Sequence, residues 1–236
     1  MRKLTSGVTF VLLGLTVVMT FLGAVGSICV SWFPEQYDFP MLVPYKPVYQ
    51  TATIFTFVAG GLGLAGLVGV WRRKPWAVKA LWAALVLGLL TAGTKMAFSA
   101  RLRGSTAPTN MRFYLTLVTL LAWWAWGQPL RARADDHAAE RDQAPPVGPA
   151  TLAVLELAAG LVVLTTRWWA GPTHLIRGVN WVDVLAPHLA LAGVALLAAG
   201  LWHTARGRSA QVPLGEPAWG RAPLSVTYES RPRSYR

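Results

Sequence analysis

Arginines flank a short stretch of hydroxyl and turn-forming residues, at Arg101, Arg103 and Arg112. Guanidinium groups bind carboxylates and phosphates through several N–H donors, so this composition favours an anion such as a phosphate, a carboxylate or a lipid head group. Lys95 lies one and a half turns before this stretch, and Arg177 falls in a later connection predicted to lie on the same side of a membrane. The candidate anion site therefore comprises Lys95, Arg101, Arg103, Arg112 and Arg177.

Acidic residues in the neighbouring connections offer a different explanation for the same arginines. Glu35 and Asp38 fall in the first connection on that side, and Asp183 opens the last apolar segment. Salt bridges between loops would use these carboxylates to balance the arginines without any ligand. The sequence leaves both the anion site and the structural ion pairs open.

Two further polar residues, Glu156 and His188, lie inside apolar segments. An ionisable residue within a membrane is a functional candidate, so Glu156 could handle protons or ions, although a hydrogen bond between helices accounts for it as well. His188 could be the single axial ligand of a haem or chlorin, or a structural hydrogen-bonded residue. His203 cannot share one iron with it, because helix rise separates the two by about 22 Å.

The sequence contains no complete catalytic, metal or cofactor motif, which argues against an enzyme. Gly61, Gly63 and Gly66 match the spacing of a dinucleotide-binding loop, but they fall within an apolar run rather than between a strand and a soluble helix. Small residues at such spacing let transmembrane helices approach closely. The predicted packing residues are Ala59, Gly61, Gly63, Ala65 and Gly69 on one segment and Ala84, Gly88 and Ala92 on the next.

Six apolar segments must position these residues. A bilayer core of about 30 Å is crossed by about 20 apolar residues in a helix, which satisfies its own backbone groups. The third segment depends on Lys79 and Lys95 extending to the membrane surfaces, and the fourth is short enough to be re-entrant instead. The sequence predicts an all-α membrane protein, a six-transmembrane-helix bundle with short loops, with segments at about 8–31, 51–71, 77–99, 112–128, 150–169 and 182–202.

The composition supports a lipid rather than an aqueous environment. Hydrophobic residues make up 54% of the chain and charged residues only 14%. The net charge of +12 could indicate nucleic acid, but the Lys and Arg residues lie between and after apolar runs rather than on one amphipathic face. The expected partners are therefore the lipid bilayer and other membrane subunits, and not nucleic acid.

The distribution of positive charge predicts how the chain is arranged across the membrane. Most Lys and Arg residues of the short connections face the cytoplasm if the N-terminus does. The chain is therefore expected to be integral to the cell (inner) membrane with both termini cytoplasmic. The predicted regions are an N-terminal membrane half of about four helices (1–130), a flexible cytoplasmic linker (131–149), a C-terminal helical hairpin (150–205) and a basic, disordered cytoplasmic tail (206–236).

Three functional hypotheses follow from these features. Small-residue faces, 12 tryptophans and the lack of a polar path across the membrane favour a non-catalytic accessory or scaffold subunit of a larger membrane complex. The arginines favour a carrier for a small anion or a lipid head group. His188 favours a single-histidine haem or chlorin protein.

Overall fold

The computed structural model describes residues 2–37, 39–106, 109–127, 148–170, 175–176 and 179–209. This part of the chain is almost entirely α-helical, with two short 3-10 turns at Pro34–Tyr37 and Pro40–Tyr45. A minimal antiparallel sheet pairs β1 (Leu175–Ile176) with β2 (Val179–Asn180). The helices are α1 (Arg2–Trp32), α2 (Lys46–Trp71), α3 (Trp76–Arg103), α4 (Thr109–Trp126), α5 (Pro149–Ala170) and α6 (Trp181–Ser209).

Five of the helices are long and apolar enough to cross a membrane, namely all except α4. The predicted all-α class is confirmed, and the length and composition of these five helices are those of a multi-pass membrane protein. Helix α4 has 18 residues and would be about 27 Å long, close to the thickness of the hydrocarbon core. Its hydropathy is lowered by polar residues such as Asn110 and Arg112, and a sixth crossing by α4 stays a prediction.

The first four helices form a closed arrangement, called here the ring. Helix α1 packs against α2 and α4, and α3 packs against the same two helices from the other side. Helices α5 and α6 form a tightly packed hairpin, and α1 contacts α5 to join the hairpin to the ring. The ring therefore has an interior shared by four helices, whereas α6 packs mainly against α5.

Small residues on α2 allow its close packing with α3. A Cβ atom placed on Gly66 would lie 2.7 Å from Leu81 Cγ, and one on Gly69 would lie 2.7 Å from the Ala77 Cβ. These approaches leave no room for a larger residue. They also show that the two helices run antiparallel, as the tight turn at residues 72–75 requires.

The predicted packing face on α2 is rotated relative to the one that the structure contains. Gly61 is exposed, and no atom of the described residues lies within 4 Å of a Cβ built there, so it does not pack against any of the described helices. Ala65 is half-buried, and the closest approaches use Gly63, Gly66 and Gly69. Of the other predicted positions, Ala59, Ala84, Gly88 and Ala92 are buried.

The ring has two chemically different halves. At the end where α1 begins and residues 72–75 turn, called the terminal end, its interior is an apolar cluster. At the opposite end, called the hairpin end, lie the two 3-10 turns, Gly104 and the small sheet, whose first strand contacts Pro34–Tyr37. The interior of that half is lined by hydroxyl and cationic side chains. The apolar cluster comprises Phe10, Leu13, Leu67, Val70, Ala77, Leu81, Leu85 and Trp123.

The predicted linker and tail fall almost entirely outside the described residues. Helix α5 already begins at Pro149, the last residue of the predicted linker, and only Gly148 precedes it in the structure. Helix α6 continues to Ser209, slightly beyond the predicted start of the tail at residue 206. Residues 210–236 lie outside the described part.

Candidate anion-binding site

The polar interior of the ring is built mainly from threonines that bond to their own helices. The hydroxyls of Thr53, Thr56 and Thr116 donate to the carbonyl oxygens of residues four positions earlier, at 2.8, 2.6 and 2.7 Å. Such bonds satisfy the hydroxyl proton within the helix and leave the oxygen free to accept another hydrogen bond. Threonines can therefore line a buried site without a net loss of hydrogen bonds.

Lys95 on α3 extends into the ring interior. Its side chain is only 4% exposed, and its Nζ donates to the Thr53 hydroxyl on α2 at 2.8 Å. The same hydroxyl lies 2.7 Å from the Ser31 hydroxyl on α1, so one oxygen connects three helices. The prediction that Lys95 extends to the membrane surface is wrong, because the interior hydroxyls offer its ammonium a partner within the bundle.

Arg112 on α4 enters the same interior and is 5% exposed. Its Nη2 donates to the Thr91 hydroxyl on α3 at 3.3 Å, whereas Nε and Nη1 have no hydrogen-bond partner among the described residues. Gly23 on α1 makes room for this side chain, since a Cβ there would lie 3.1 Å from Arg112 Cδ. A buried guanidinium therefore presents two unused nitrogens to the interior.

The two buried cations lack a carboxylate partner in the described part of the chain. Lys95 and Thr91, which accepts from Arg112 Nη2, lie four residues apart on one face of α3, so both cations enter the same part of the interior. Every described acidic residue lies elsewhere and pairs with another base. These pairs are Glu35 with Lys46 at 3.8 Å, Asp183 with Arg167 at 2.6 Å and Glu156 with His203 at 2.7 Å.

Such an arrangement can bind one compact anion. Two positive charges in a medium of low dielectric attract a negative group strongly, and the unused N–H donors of Arg112 supply hydrogen bonds to its oxygens. The Thr53 and Thr91 hydroxyls already donate to carbonyl oxygens of their own helices and accept from Lys95 and Arg112, so they position the two cations, and the cations supply the donors to the anion. Phosphate and carboxylate groups both have this chemistry.

The predicted set of five basic residues does not form one cluster. Lys95 and Arg112 lie inside the ring, whereas Arg101 is exposed at the end of α3. Arg103 stacks over the Phe39 ring, with its guanidinium carbon 4.4 Å from the ring centre, which holds it at the surface of the hairpin end. Arg177 lies outside the described residues.

Sequence reasoning missed the neutral residues of the site: Thr91, Thr53, Ser31 and Gly23. Thr91 lies four residues before Lys95, so both fall on one helical face, and this spacing was a usable signal. Nothing local marks Thr53 or Gly23, because their role depends on which neighbouring helix faces them.

Glu156 belongs to a separate pair in the α5–α6 hairpin. Its Oε2 lies 2.7 Å from Nδ1 of His203, with the two side chains 22% and 33% exposed. The antiparallel register set by the close approach of Gly160 to Gly193 brings these helices together at that depth. The sequence analysis did not predict this pair. Each residue lies in the half of its helix that is farther from the connection between α5 and α6, so an antiparallel hairpin brings them to the same end.

His188 lies on an exposed face of α6, nearer the hairpin end. The described residues include no hydrogen-bond partner for its ring, so the predicted structural hydrogen bond is absent there. Across the same residues, no group of three or more His, Cys, Asp or Glu side chains is placed to hold a metal ion. A haem or chlorin bound at His188 would therefore be exposed to the membrane.

Comparison with known proteins leaves the fold and the buried site as the basis for a functional conclusion. No protein family, characterised protein or solved structure shows significant similarity to this chain.

Proposed function

We propose that this chain is a six-span membrane protein that binds an anionic group inside the ring, between Lys95 and Arg112. The observation that carries the proposal is the Arg112 guanidinium, 5% exposed, with two nitrogens that lack partners in the described structure. The second buried cation beside it makes the need for a negative charge greater. The ligand chemistry is a phosphate or carboxylate, as a free ion or as part of a lipid head group.

The free-energy cost of burying two unpaired cations supports a bound anion rather than an empty site. Burying one unpaired charge costs several kcal/mol, and two like charges side by side cost more. A bound anion replaces the lost hydration of both cations and removes their mutual repulsion. The ring then gains stability whenever the anion is present, by the linkage between binding and folding.

The apolar cluster closes the interior of the ring between the proposed site and the terminal end. Leu13, Leu81 and Trp123 close the terminal half of the ring, each at most 1% exposed. Toward the terminal end, Thr16 and Thr119 hydrogen-bond each other at 2.7 Å, and the buried Thr9 beyond them donates to the Thr5 carbonyl of its own helix at 2.8 Å. The arrangement supports a binding site or an alternating carrier rather than an open channel. If both termini are cytoplasmic, the site belongs to the outer half of the membrane.

Thermal unfolding of the purified protein in a neutral detergent tests the proposal. Inorganic phosphate and phosphatidylglycerol supply the anion in two forms, and phosphatidylcholine with the same acyl chains serves as the zwitterionic control. We expect at least one anion to raise the unfolding temperature of the native protein. Arg112→Gln and Lys95→Met should remove this response, because each deletes one of the two buried charges.

Matched surface variants separate the site from general charge effects. Arg101→Gln and Lys79→Met remove the same charges from exposed positions on α3, and both should respond to anions as the native protein does. A response that Arg101→Gln weakens as much as Arg112→Gln would contradict a buried site. Equal unfolding temperatures with and without either anion would contradict the proposed function altogether.

An accessory subunit remains a second candidate, favoured by the exposure of α6. Large apolar residues along this helix, including Leu185, Leu191 and Leu201, are 41, 73 and 62% exposed. Such a surface suits either lipid or a helix of another membrane subunit. Purification in mild detergent tests it, and a monomer without any partner would contradict it.

A further inference from the structure

A groove between α2 and α3 runs along the outside of the ring in its hairpin half. It encloses about 450 Å³ and is open on one side. Its lining includes Pro47, Thr51 and Phe55 from α2 and Leu87, Thr91 and Thr94 from α3. The volume lies within the range of small-molecule binding sites, about 300–1,000 Å³.

The groove changes character along its length. Thr51 and Thr94 lie toward the hairpin end, whereas Phe55 and Leu87 lie one to two turns deeper. Helix rise places Leu87 about 10 Å below Thr94 along α3. The three groove hydroxyls lie among apolar residues, with Pro47 and Val48 outermost on α2 and Leu87 deepest on α3, so a lipid could place a polar group at the threonines and apolar groups on either side of them.

Thr91 connects this groove to the buried cations. It lines the groove, and its hydroxyl oxygen accepts the 3.3 Å hydrogen bond from Arg112 Nη2. Among the described residues that line the groove, Thr91 is the one that hydrogen-bonds to Arg112. A negative group resting at Thr91 would therefore lie one side chain away from Arg112 Nη2, and Lys95 follows one turn later on α3 with its ammonium at the Thr53 hydroxyl.

We infer that the groove admits an anionic membrane lipid, with its phosphate at Thr91 beside Arg112 and one acyl chain between α2 and α3. This inference rests on the proposed anion site and names its ligand class. The lipid enters sideways from the bilayer, so no helix of the ring has to separate.

The rim of the groove favours a lipid over a dissolved ion. Phe55 is 46% exposed and Leu90, which also lines the groove, is 62% exposed. In a membrane these side chains face acyl chains rather than water. Both a dissolved ion and a lipid phosphate lose hydration water at Thr91, but the lipid is already held in the membrane beside the groove, whereas the ion has to cross this apolar rim from bulk water.

Lipid retention by the full-length protein in a neutral detergent tests this inference. The protein is incubated with equal amounts of phosphatidylglycerol and phosphatidylcholine of identical acyl chains, and the lipid that remains after size-exclusion chromatography is quantified. We expect the anionic lipid to be retained in preference by about tenfold or more, because both lipids have the same phosphate but only phosphatidylcholine brings a choline cation toward Arg112 and Lys95.

Two tryptophan substitutions on α2 separate the groove from its surroundings. Thr51→Trp fills the groove and should abolish the preference for phosphatidylglycerol. Ile54→Trp adds the same bulk at a 53% exposed position outside the lining and should leave the preference unchanged. Should Thr51→Trp not fold, Thr94→Trp obstructs the same groove from α3.

The outcomes distinguish this inference from the proposed function. A preference that Arg112→Gln removes but Thr51→Trp and Thr94→Trp both leave intact would overturn lateral entry while supporting the anion site. A preference unaffected by Arg112→Gln and Lys95→Met would overturn both. Loss in the groove variants, with retention in Ile54→Trp, supports the inference.

Discussion

Replacing Lys95 by Met should make the ligand-free protein more stable while removing its response to anions. The Lys95 ammonium has one described acceptor, the Thr53 hydroxyl at 2.8 Å. Met keeps the unbranched stem and fills a similar volume. Thr53 loses no necessary bond, because it still donates to the Tyr49 carbonyl at 2.8 Å and lies 2.7 Å from the Ser31 hydroxyl.

Opposing contributions set the size of the effect. The substitution removes one charge-assisted hydrogen bond, which contributes about 1.5–3 kcal/mol to the free energy of unfolding. It also removes the desolvation cost of a buried ammonium and its repulsion from Arg112, together several kcal/mol. A net gain of about 2 kcal/mol is expected, since replacing buried ionic groups by apolar ones stabilises other proteins by about 1–4 kcal/mol. In soluble proteins of this length such a gain raises the unfolding temperature by about 4–8 °C.

Tryptophan fluorescence during heating in a neutral detergent, after bound lipid has been removed, measures this difference. Each protein is heated with and without phosphatidylglycerol. Lys79→Met is the matched control, because Lys79 is exposed on the same helix. Its unfolding free energy should stay within about 0.5 kcal/mol of the native value. The native protein and the control should both respond to the anionic lipid, and Lys95→Met should not.

A lower unfolding temperature for ligand-free Lys95→Met would refute this reasoning, especially with an unchanged response to phosphatidylglycerol. It would mean that the ammonium is already balanced within the protein. The buried cations would then be a structural feature of the ring rather than a ligand site.

Further predictions concern the room around Arg112, the hairpin end and α6. Gly23→Leu should displace the Arg112 guanidinium, because a Cβ at this position would lie 3.1 Å from Arg112 Cδ, and should weaken anion binding by about tenfold. Gly61→Leu adds the same side chain in open space and should leave anion binding unchanged. An equal loss of binding in both variants would contradict a role for the space around Arg112. Burial raises the pKa of Tyr37, and its hydrogen bond with the Cys29 thiol adds to the rise. Because an unfolded tyrosine ionises near about pH 10, stability should be unaffected by Tyr37 below that pH and decline above it, and thermal unfolding of Tyr37→Phe across this range should show a shallower decline. The haem or chlorin hypothesis predicts a visible absorption band that His188→Ala removes, and a colourless purified protein contradicts it.

Much of the helical architecture could be predicted from residue type alone. Long apolar runs must be helical in a membrane, because their backbone groups find no water to bond. The basic turn at Arg72, Arg73 and Lys74 ends α2 as the charge pattern indicated. Helix α4 could not be judged in the same way, since its polar residues face the ring interior instead of lipid. Its composition therefore understates how well it packs.

The sequence by itself determined the helical membrane class, the approximate helix bounds and the presence of Lys95 and Arg112 near one end. Tertiary structure decided which way these side chains point. The rotation of each helix about its axis depends on its neighbours, so Lys95 turned inward to Thr53, Gly61 turned outward, and Glu156 met His203 across a hairpin. Hydrophobic patterning identifies a helix face only when water covers the other face. In a bilayer both faces are apolar, and packing alone selects the interior.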